Sequence, residues 1–447
     1  MLRLFVISCL VGVLALPAAA RTRPHYGGTL HVETEGDPWQ RPGGLARRLV
    51  LNGLTTMGPD GSARPALAVE WKSENDDHRW QFRIRPGVHF QNGTALNSSN
   101  VVASLVAICG AGCPWSAVHA VGSTVVFTSE SPLPNLPELL AGDVYLIGIP
   151  SDSPQGIVGT GPFQSATGLT AEGTLRLTAN DNCWQGRPFL DSIEFHVQRS
   201  IREQWLNLTA GRADLVEVPA EQLRQAHDQR LNIVTSPPVT LLALTLSDTG
   251  ALSNPNLRAS IAFAVDRSAL SNVIFQRQGE ITASFLPAEL TGYAFLFSAD
   301  RDLNKAHELR GGVTPPTLLL GSEGGSAMQL AAQRIALNLH DAGFNVQVAT
   351  AGTPQHIDIT LRRFILESNR PQPGLESIFR AADLAIPVLD QTPAGLYKVE
   401  RGVLDAHMVI PLLYVPRAYA VGGRVRDLLL SPDGVPELAG VSLEDAP

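Results

Sequence analysis

The feature that most constrains the fold is a repeated alternation of short apolar strands with amphipathic helices, and residues 80–93, WQFRIRPGVHFQNG, begin its clearest example. Trp80, Phe82 and Ile84 alternate with polar residues, which predicts a strand with one buried face. The alternation resumes after a Pro-Gly turn and predicts a second strand. Apolar residues spaced along 101–106 then predict a helix. The unit contains no candidate catalytic residue.

The alternation of strands and helices continues on both sides of residue 240, near which we place the boundary between two lobes. Before it, residues 173–197 predict strands, and residues 202–218 predict a helix followed by a short apolar strand. After it, a buried strand leads into a helix predicted over residues 254–275, with a proline in its first turn. Residues 314–349 predict a further strand, helix and strand. Since 447 residues exceed what one core usually supports, we predict an α/β protein with at least two lobes.

The first 20 residues predict export. They contain one Arg, a long apolar run and the ending Ala18-Ala19-Ala20, which is the pattern of a secretory signal peptide cleaved after Ala20. Its removal takes away one basic and no acidic residue, which leaves 33 basic against 42 acidic side chains and a net charge of −9. A nucleic-acid partner is therefore not expected.

The cysteines favour a disulfide over a metal site. Cys109 and Cys113 flank a flexible Gly-Ala-Gly segment, so a disulfide between them is possible in an oxidising compartment. A structural zinc site needs four ligands at paired spacing, and the sequence offers neither a second cysteine pair nor a nearby histidine cluster. The 11 histidines are scattered, so we predict no metal site and no cofactor. Cys183 is interpreted as a buried thiol.

The common catalytic motifs are missing from the sequence. It contains no GxxxxGK[ST] phosphate loop, no HExxH, no GxSxG and no GxGxxG after a strand. The glycine cluster GTGPF at residues 159–163 lacks the third glycine and the following helix of a dinucleotide site, and we interpret it as a tight turn. No catalytic residue is therefore predicted, and we do not expect an enzyme.

Seven segments, taken in their order along the chain, resemble the extracellular solute-binding proteins of family 5, the peptide and nickel type that captures solutes for ABC importers. They are YGGTLHVE (26–33), DGSARPALAVEW (60–71), WQFRIRPGVHFQNGTALNSSNVVASL (80–105), GTGPF (159–163), NDNCWQGRPFLDSIEFHV (180–197), LNLTAGRADLVEV (206–218) and NPNLRASIAFAVDR (254–267). Each segment is weak alone, but seven in order behind a signal peptide are specific.

The resemblance implies an α/β fold of the two-lobed, type II-like periplasmic binding protein class, with an extra subdomain in the first lobe. It divides the chain into a signal peptide (1–20), a first-lobe core (21–45, 160–240 and 405–447), the extra subdomain (46–159) and a second lobe (241–404).

The resemblance also implies a function. The expected protein is a periplasmic monomer that captures short peptides between its lobes and delivers them to an ABC permease in the inner membrane. Two alternatives stay open. In the first, the ligand is another small solute, such as a nickel chelate or an oligosaccharide. In the second, the fold is reused by a sensory or hydrolytic protein that does not transport.

Candidate ligand-binding residues come from residues 356–371, HIDITLRRFILESNRP, which resemble a segment near the ligand of peptide-binding members. Phe364 takes the place of a Trp in that pattern. Glu367 takes the place of the carboxylate that holds the terminal ammonium of a peptide in the family. The alternative is that Glu367 is a solvated loop residue.

A second set of candidates lies at the end of the first predicted strand. Glu33, Thr34 and Glu35 are expected to contribute to the site from the first lobe, because the ends of strands expose their residues to a crevice between lobes. These acids are alternatively ordinary surface charges.

Overall fold

The computed structural model describes residues 24–39, 44–109, 113–349, 356–385 and 392–444. The predicted signal peptide, residues 1–20, lies outside these ranges, and the side chain of Cys109 lies outside the described part of the structure. Within the described residues, no helix combines the length and the apolar character needed to cross a membrane.

Short strands and helices alternate along the chain, as predicted. The strands are β1 Thr29–Glu33, β2 Thr55–Met57, β3 Ala63–Pro65, β4 Ala68–Glu74, β5 Arg79–Ile84, β6 Ala117–Val121, β7 Thr124–Thr128, β8 Ile149–Pro150, β9 Ile157–Val158, β10 Phe163–Ser165, β11 Thr174–Ala179, β12 Ser192–His196, β13 Leu215–Glu217, β14 Ile233–Leu246, β15 Glu280–Ile281, β16 Leu318–Ser322, β17 Val346–Val348, β18 Ile359–Ile365, β19 Val409–Val421, β20 Val425–Arg426, β21 Leu429–Leu430, β22 Pro436–Glu437 and β23 Ser442–Leu443. The helices are α1 Leu45–Val50, α2 Ser98–Cys109, α3 Leu136–Leu139, α4 Ile201–Thr209, α5 Leu223–Asp228, α6 Pro255–Ala264, α7 Arg267–Ala269, α8 Ala288–Thr291, α9 Leu303–Arg310, α10 Ser326–Asp341, α11 Pro371–Ala381 and α12 Pro393–Leu404.

A mixed sheet of 11 strands runs through both lobes. Its order is β10-β11-β12-β1-β13-β19-β14-β18-β16-β17, with β15 paired to β19. The first five strands of this order belong to the first lobe, and β18, β16 and β17 belong to the second. The protein therefore has an α/β fold with two lobes, as predicted.

Two long antiparallel strands, β14 and β19, connect the lobes. Their pairing shifts register where Pro238 lies opposite Pro416, because a proline has no N–H to donate to the strand ladder. This pair marks the hinge. The first half of β19 pairs with the second half of β14 and with β15, and the predicted return of the chain to the first lobe at residue 405 stays a prediction.

The second lobe buries β14 on both faces. Leu242 and Leu244 pack in a core with residues of α6 and α10, whereas Leu241 and Ala243 pack in another core with residues of α11. Burial on both faces explains the unbroken apolar run LLALTL in the sequence.

The helix predicted over residues 254–275 is interrupted. Helix α6 starts after Asn254, whose side chain accepts a hydrogen bond from the N–H of Asn256, and ends at Ala264. The side chain of Asp266 then accepts a hydrogen bond of 2.8 Å from the N–H of Ala269 and starts a new helical turn. A cap residue inside the apolar pattern therefore divides the predicted helix in two.

Strands β4, β5, β7 and β6 form a separate antiparallel sheet, which packs on α2. Trp80, Phe82 and Ile84 of β5 point into this core, as predicted. The second predicted strand is wrong, because residues 88–96 form a loop closed by one bridge between His89 and Ala95. The boundaries of the predicted subdomain, 46–159, stay a prediction.

Candidate functional site

Residues 45–66, 138–146 and 431–439 meet Glu367 around a cavity of about 330 Å³, named here the acidic cavity. Its charged lining includes Arg48 from α1, Asp143 from the segment after α3, Glu367 from the loop after β18, and Asp433 and Glu437 from the C-terminal segment. These residues are far apart in the sequence, so only the closed tertiary structure brings them together. Acidic side chains outnumber basic ones in this wall.

Arg48 is held between two aspartates. Its guanidinium lies 2.6 Å from a carboxylate oxygen of Asp143 and also pairs with Asp433. Burial opposes the charge of the guanidinium, but the two carboxylates outweigh this effect and raise the pKa of Arg48. Burial likewise disfavours the charge of Asp433, yet Arg48 keeps the pKa of that carboxyl below its usual value. One cation is thus shared by two anions, and Arg48 is already engaged.

Glu367 is poorly compensated by comparison. Its carboxylate lies 3.9 Å from the guanidinium of Arg380, which is too long for a hydrogen bond. Burial raises the pKa of Glu367 to about 6, Arg380 lowers it in part, and Asp143 and Asp433 raise it further. The side chain stays 36% exposed toward the cavity. A carboxylate in this position attracts a cation that enters the cavity.

The loop that carries Glu367 also contacts the opposite wall of the cleft. In this loop, Arg370 pairs with Glu138 at 2.8 Å and the Asn369 amide donates to the carbonyl of Pro59 at 2.9 Å. In the following helix α11, Glu376 accepts a hydrogen bond of 3.1 Å from the Asn135 amide. Since residues 367–376 belong to the second lobe and the partners belong to residues 59–138, the described conformation is closed.

A larger cavity of about 700 Å³, named here the hinge cavity, lies beside the acidic cavity. Pro237 and Pro238 of the hinge line it, together with Leu366 and the segment 428–432. Met57, Ser431, Pro432 and Glu437 line both cavities. The two spaces are therefore neighbours: the charged side chains of the acidic cavity are predominantly acidic, and the hinge cavity is lined mostly by apolar residues.

The structure does not bring the predicted first-strand residues to Glu367. Glu33 is only 4% exposed, and its carboxylate accepts a hydrogen bond of 2.7 Å from the Asn207 amide of α4. Glu33 and Thr34 line a small pocket of about 150 Å³, and Glu35 lines another pocket with Arg363. None of the three lines the acidic cavity or the hinge cavity. Their role in ligand binding stays a prediction.

Phe364 is placed in the core and not in a cavity wall. Its ring is 1% exposed and packs in the cluster that contains Phe285 and Phe379. The Arg362 guanidinium lies 4.9 Å from the ring centroid. Residue 364 falls on the face of β18 that α11 covers, and a role for Phe364 in ligand binding stays a prediction.

The cysteine chemistry is partly described. Cys113 is disulfide-bonded, and the predicted partner, Cys109, has its side chain outside the described part. The pairing stays a prediction. Cys183 is a buried free thiol, as predicted, and burial raises the pKa of its thiol.

Sequence reasoning missed the pair of aspartates and Arg48. The one local signal was the pair Arg47-Arg48 inside the otherwise apolar helix LARRLV of α1. Asp143 begins a short 3-10 helix and Asp433 lies in a turn, and neither has a sequence pattern around it that connects it with Arg48.

Fold and site together define a class of protein. Two lobes joined by the long paired strands β14 and β19, with a charged cavity beside them, are the architecture of a two-lobed binding protein. The chain belongs to the bacterial extracellular solute-binding proteins, family 5, because the sequence model for the middle region of that family matches residues 62–382.

Two curated relatives illustrate the range of the family. The nickel-binding protein NikA of Staphylococcus aureus is 25% identical over 234 residues, which is 50% of this chain and 47% of the relative. The peptide transport periplasmic protein SapA of Salmonella typhimurium is 24% identical over 331 residues, which is 64% of this chain and 60% of the relative. The matches thus span about half to three fifths of these relatives.

Solved structures show the same fold. The periplasmic binding protein DppA of Helicobacter pylori, in complex with the peptide STSA, superposes with a TM-score of 0.79 at 17% identity. The match covers 94% of this chain and 99% of that chain. At 17% identity the structural similarity establishes the shared fold but does not identify the ligand of this chain.

Proposed function

We propose that this protein is the solute-binding component of an ABC importer, and that it captures short peptides between its lobes and delivers them to a membrane permease. It acts in the periplasm, as a monomer, after removal of residues 1–20. Family membership and the peptide-binding relatives support this proposal. The proposed role is binding and not catalysis.

The observation that carries the peptide proposal is the position of Glu367. Its carboxylate faces the acidic cavity, and among the described residues its ion-pair contact is the long one of 3.9 Å to Arg380. The ammonium group at the start of a peptide supplies the missing positive charge and three N–H donors. Arg48 does not supply it, because Asp143 and Asp433 occupy its guanidinium.

The hinge cavity supports the size of the proposed ligand. A volume of about 700 Å³ falls within the range of about 300–1,000 Å³ that is typical of small-ligand sites. Its apolar lining accepts side chains of varied sequence. The peptide's amino end is therefore proposed to lie in the acidic cavity and its following residues in the hinge cavity.

The linings favour a peptide over a nickel ion that is ligated directly by side chains. Among the described residues that line the acidic cavity and the hinge cavity, none is a histidine or a cysteine. Nickel in proteins is usually ligated by such side chains. A nickel ion in this cleft would thus depend on its chelator for nitrogen or sulfur ligands.

Native mass spectrometry of protein recovered from the periplasm tests the proposal. We expect an adduct whose fragmentation gives a short peptide and a mature chain that begins at Arg21. An adduct that is a sugar or a metal chelate would contradict peptide capture. An intact N-terminus on periplasmic protein would contradict the predicted cleavage.

A further inference from the structure

A cluster of two histidines and one glutamate lies on the first-lobe sheet. Strands β1 and β12 are parallel neighbours, and their register places His31 beside Glu194. His196 follows Glu194 by two residues and therefore points to the same face. Leu30, on the opposite face, is buried in the core. Two histidines 165 positions apart in the sequence thus meet because the two strands pair.

The distances within this cluster are short. His31 Nδ1 lies 3.4 Å from a carboxylate oxygen of Glu194, and His196 Nε2 lies 4.0 Å from the same oxygen. The two imidazole rings are stacked, with centroids 5.8 Å apart. One ligand atom from each of the three residues lies within 4.8 Å of those of the other two. The side chains are between 21% and 32% exposed, so an ion can reach them from solvent.

We propose that His31, Glu194 and His196 form a binding site for one divalent transition metal ion, such as Zn²⁺ or Ni²⁺. Two imidazoles and a carboxylate are ligands that these ions accept, whereas Mg²⁺ and Ca²⁺ prefer oxygen ligands alone. Metal–ligand bonds of about 2.0–2.2 Å require the three ligand atoms to approach one another slightly, which small side-chain rotations allow. Water completes the coordination on the exposed side.

Neighbouring residues already orient the ligands. Thr174 Oγ1, on β11, lies 3.4 Å from His196 Nδ1, which leaves Nε2 on the side of Glu194. Arg176 pairs with the other carboxylate oxygen of Glu194 at 3.3 Å and leaves the first oxygen for the ion. Such outer contacts fix the ring orientation and the carboxylate position. The positive charge of Arg176 also limits the affinity.

This site is separate from the ligand cleft. None of its three residues lines the acidic cavity or the hinge cavity. Metal binding on the first lobe is therefore independent of the proposed peptide binding. Nickel or zinc found bound to this protein would be explained by the site at His31, Glu194 and His196. It would not by itself identify a nickel-transporting protein.

Calorimetric titration of the full, EDTA-dialysed protein with ZnCl₂ and with NiCl₂ tests the site. We expect one ion per chain for wild type, with no response to MgCl₂. His196→Ala and Glu194→Gln should each weaken Zn²⁺ binding about tenfold or more. Thermal melting without metal confirms that each variant is folded.

Two control variants locate the ion. His119→Ala removes an exposed histidine of β6 and should leave Zn²⁺ binding unchanged. Glu367→Gln alters the acidic cavity and should also leave it unchanged. Saturable binding that survives His196→Ala, binding that is lost in Glu367→Gln, or no Zn²⁺ binding to wild type would each overturn the proposal.

Discussion

Replacement of Glu367 by glutamine tests the peptide site most directly, because the same change is expected to stabilise the free protein and to weaken the complex. The amide keeps the size and shape of the side chain and removes its charge. In the free protein that charge is poorly compensated, since Arg380 lies 3.9 Å away and burial raises the pKa of Glu367 to about 6.

The stability effect follows from the raised pKa. The difference between about 6 and the ordinary value of 4.5 corresponds to about 2 kcal/mol. Because the side chain is 36% exposed, solvent screening reduces this to about 1 kcal/mol. Below about pH 4.5 the carboxyl group of Glu367 is protonated in the folded and the unfolded protein, and its contribution to stability is fully present. This contribution is lost as the pH rises through about 6, because the folded protein then holds a poorly compensated charge. Glu367→Gln should therefore stabilise the free protein by about 1 kcal/mol at pH 7.5.

The binding effect has the opposite sign. A charge-assisted hydrogen bond to an ammonium contributes about 2–3 kcal/mol, which is roughly a 30- to 150-fold change in Kd. An N-acetylated peptide lacks the ammonium, so it should bind wild type poorly and lose little further in Glu367→Gln. For wild type, the affinity for the free peptide should fall about tenfold between pH 7.5 and pH 5, as Glu367 takes up a proton. The variant should show no such fall.

Calorimetry on the four combinations of protein and peptide measures these effects, and chemical denaturation of the free proteins measures stability. Glu437→Gln is the matched control, because Glu437 lines both cavities without being placed at the ammonium. Equal losses of peptide affinity in Glu367→Gln and Glu437→Gln would show a general effect of the negative charge in the cavity. Additive losses from Glu367→Gln and from acetylation would refute the proposed pairing between Glu367 and the peptide terminus.

Three further predictions concern other parts of the molecule. Phe364→Ala should destabilise the protein by about 3–5 kcal/mol in denaturation and leave the Kd of the folded protein unchanged, because the ring fills the core; a large change in Kd at unchanged stability would show a ligand role. Arg370→Ala removes an exposed ion pair with Glu138 across the cleft, and should weaken ligand binding about two- to fivefold by favouring the open form. Small-angle scattering of the ligand-free variant should show a larger radius of gyration than wild type, and an unchanged radius would contradict this prediction. Peptide mapping without reductant should recover Cys109 linked to Cys113, and a different partner for Cys113 would overturn the predicted pairing.

Some failures of prediction came from local chemistry. The helix over residues 254–275 is interrupted because Asp266 caps a new turn inside an apolar pattern. Residues 88–96 close a loop where alternation predicted a strand. Val88 and Phe90, the apolar residues of that alternation, are buried. The backbone is nevertheless a loop, because burial follows the side-chain pattern whereas strand pairing needs a partner strand.

The sequence by itself determined the α/β class, the two lobes and the buried face of β5, since apolar periodicity is a local property that any fold must satisfy. It also placed Glu367 in the candidate site through resemblance to the family. Only the tertiary structure decided which residues share a wall. Arg48, Asp143 and Asp433 come together at the acidic cavity, and His31 meets His196 through strand pairing. Contacts between residues so far apart depend on strand order and lobe closure, which a pattern of neighbouring residues does not contain.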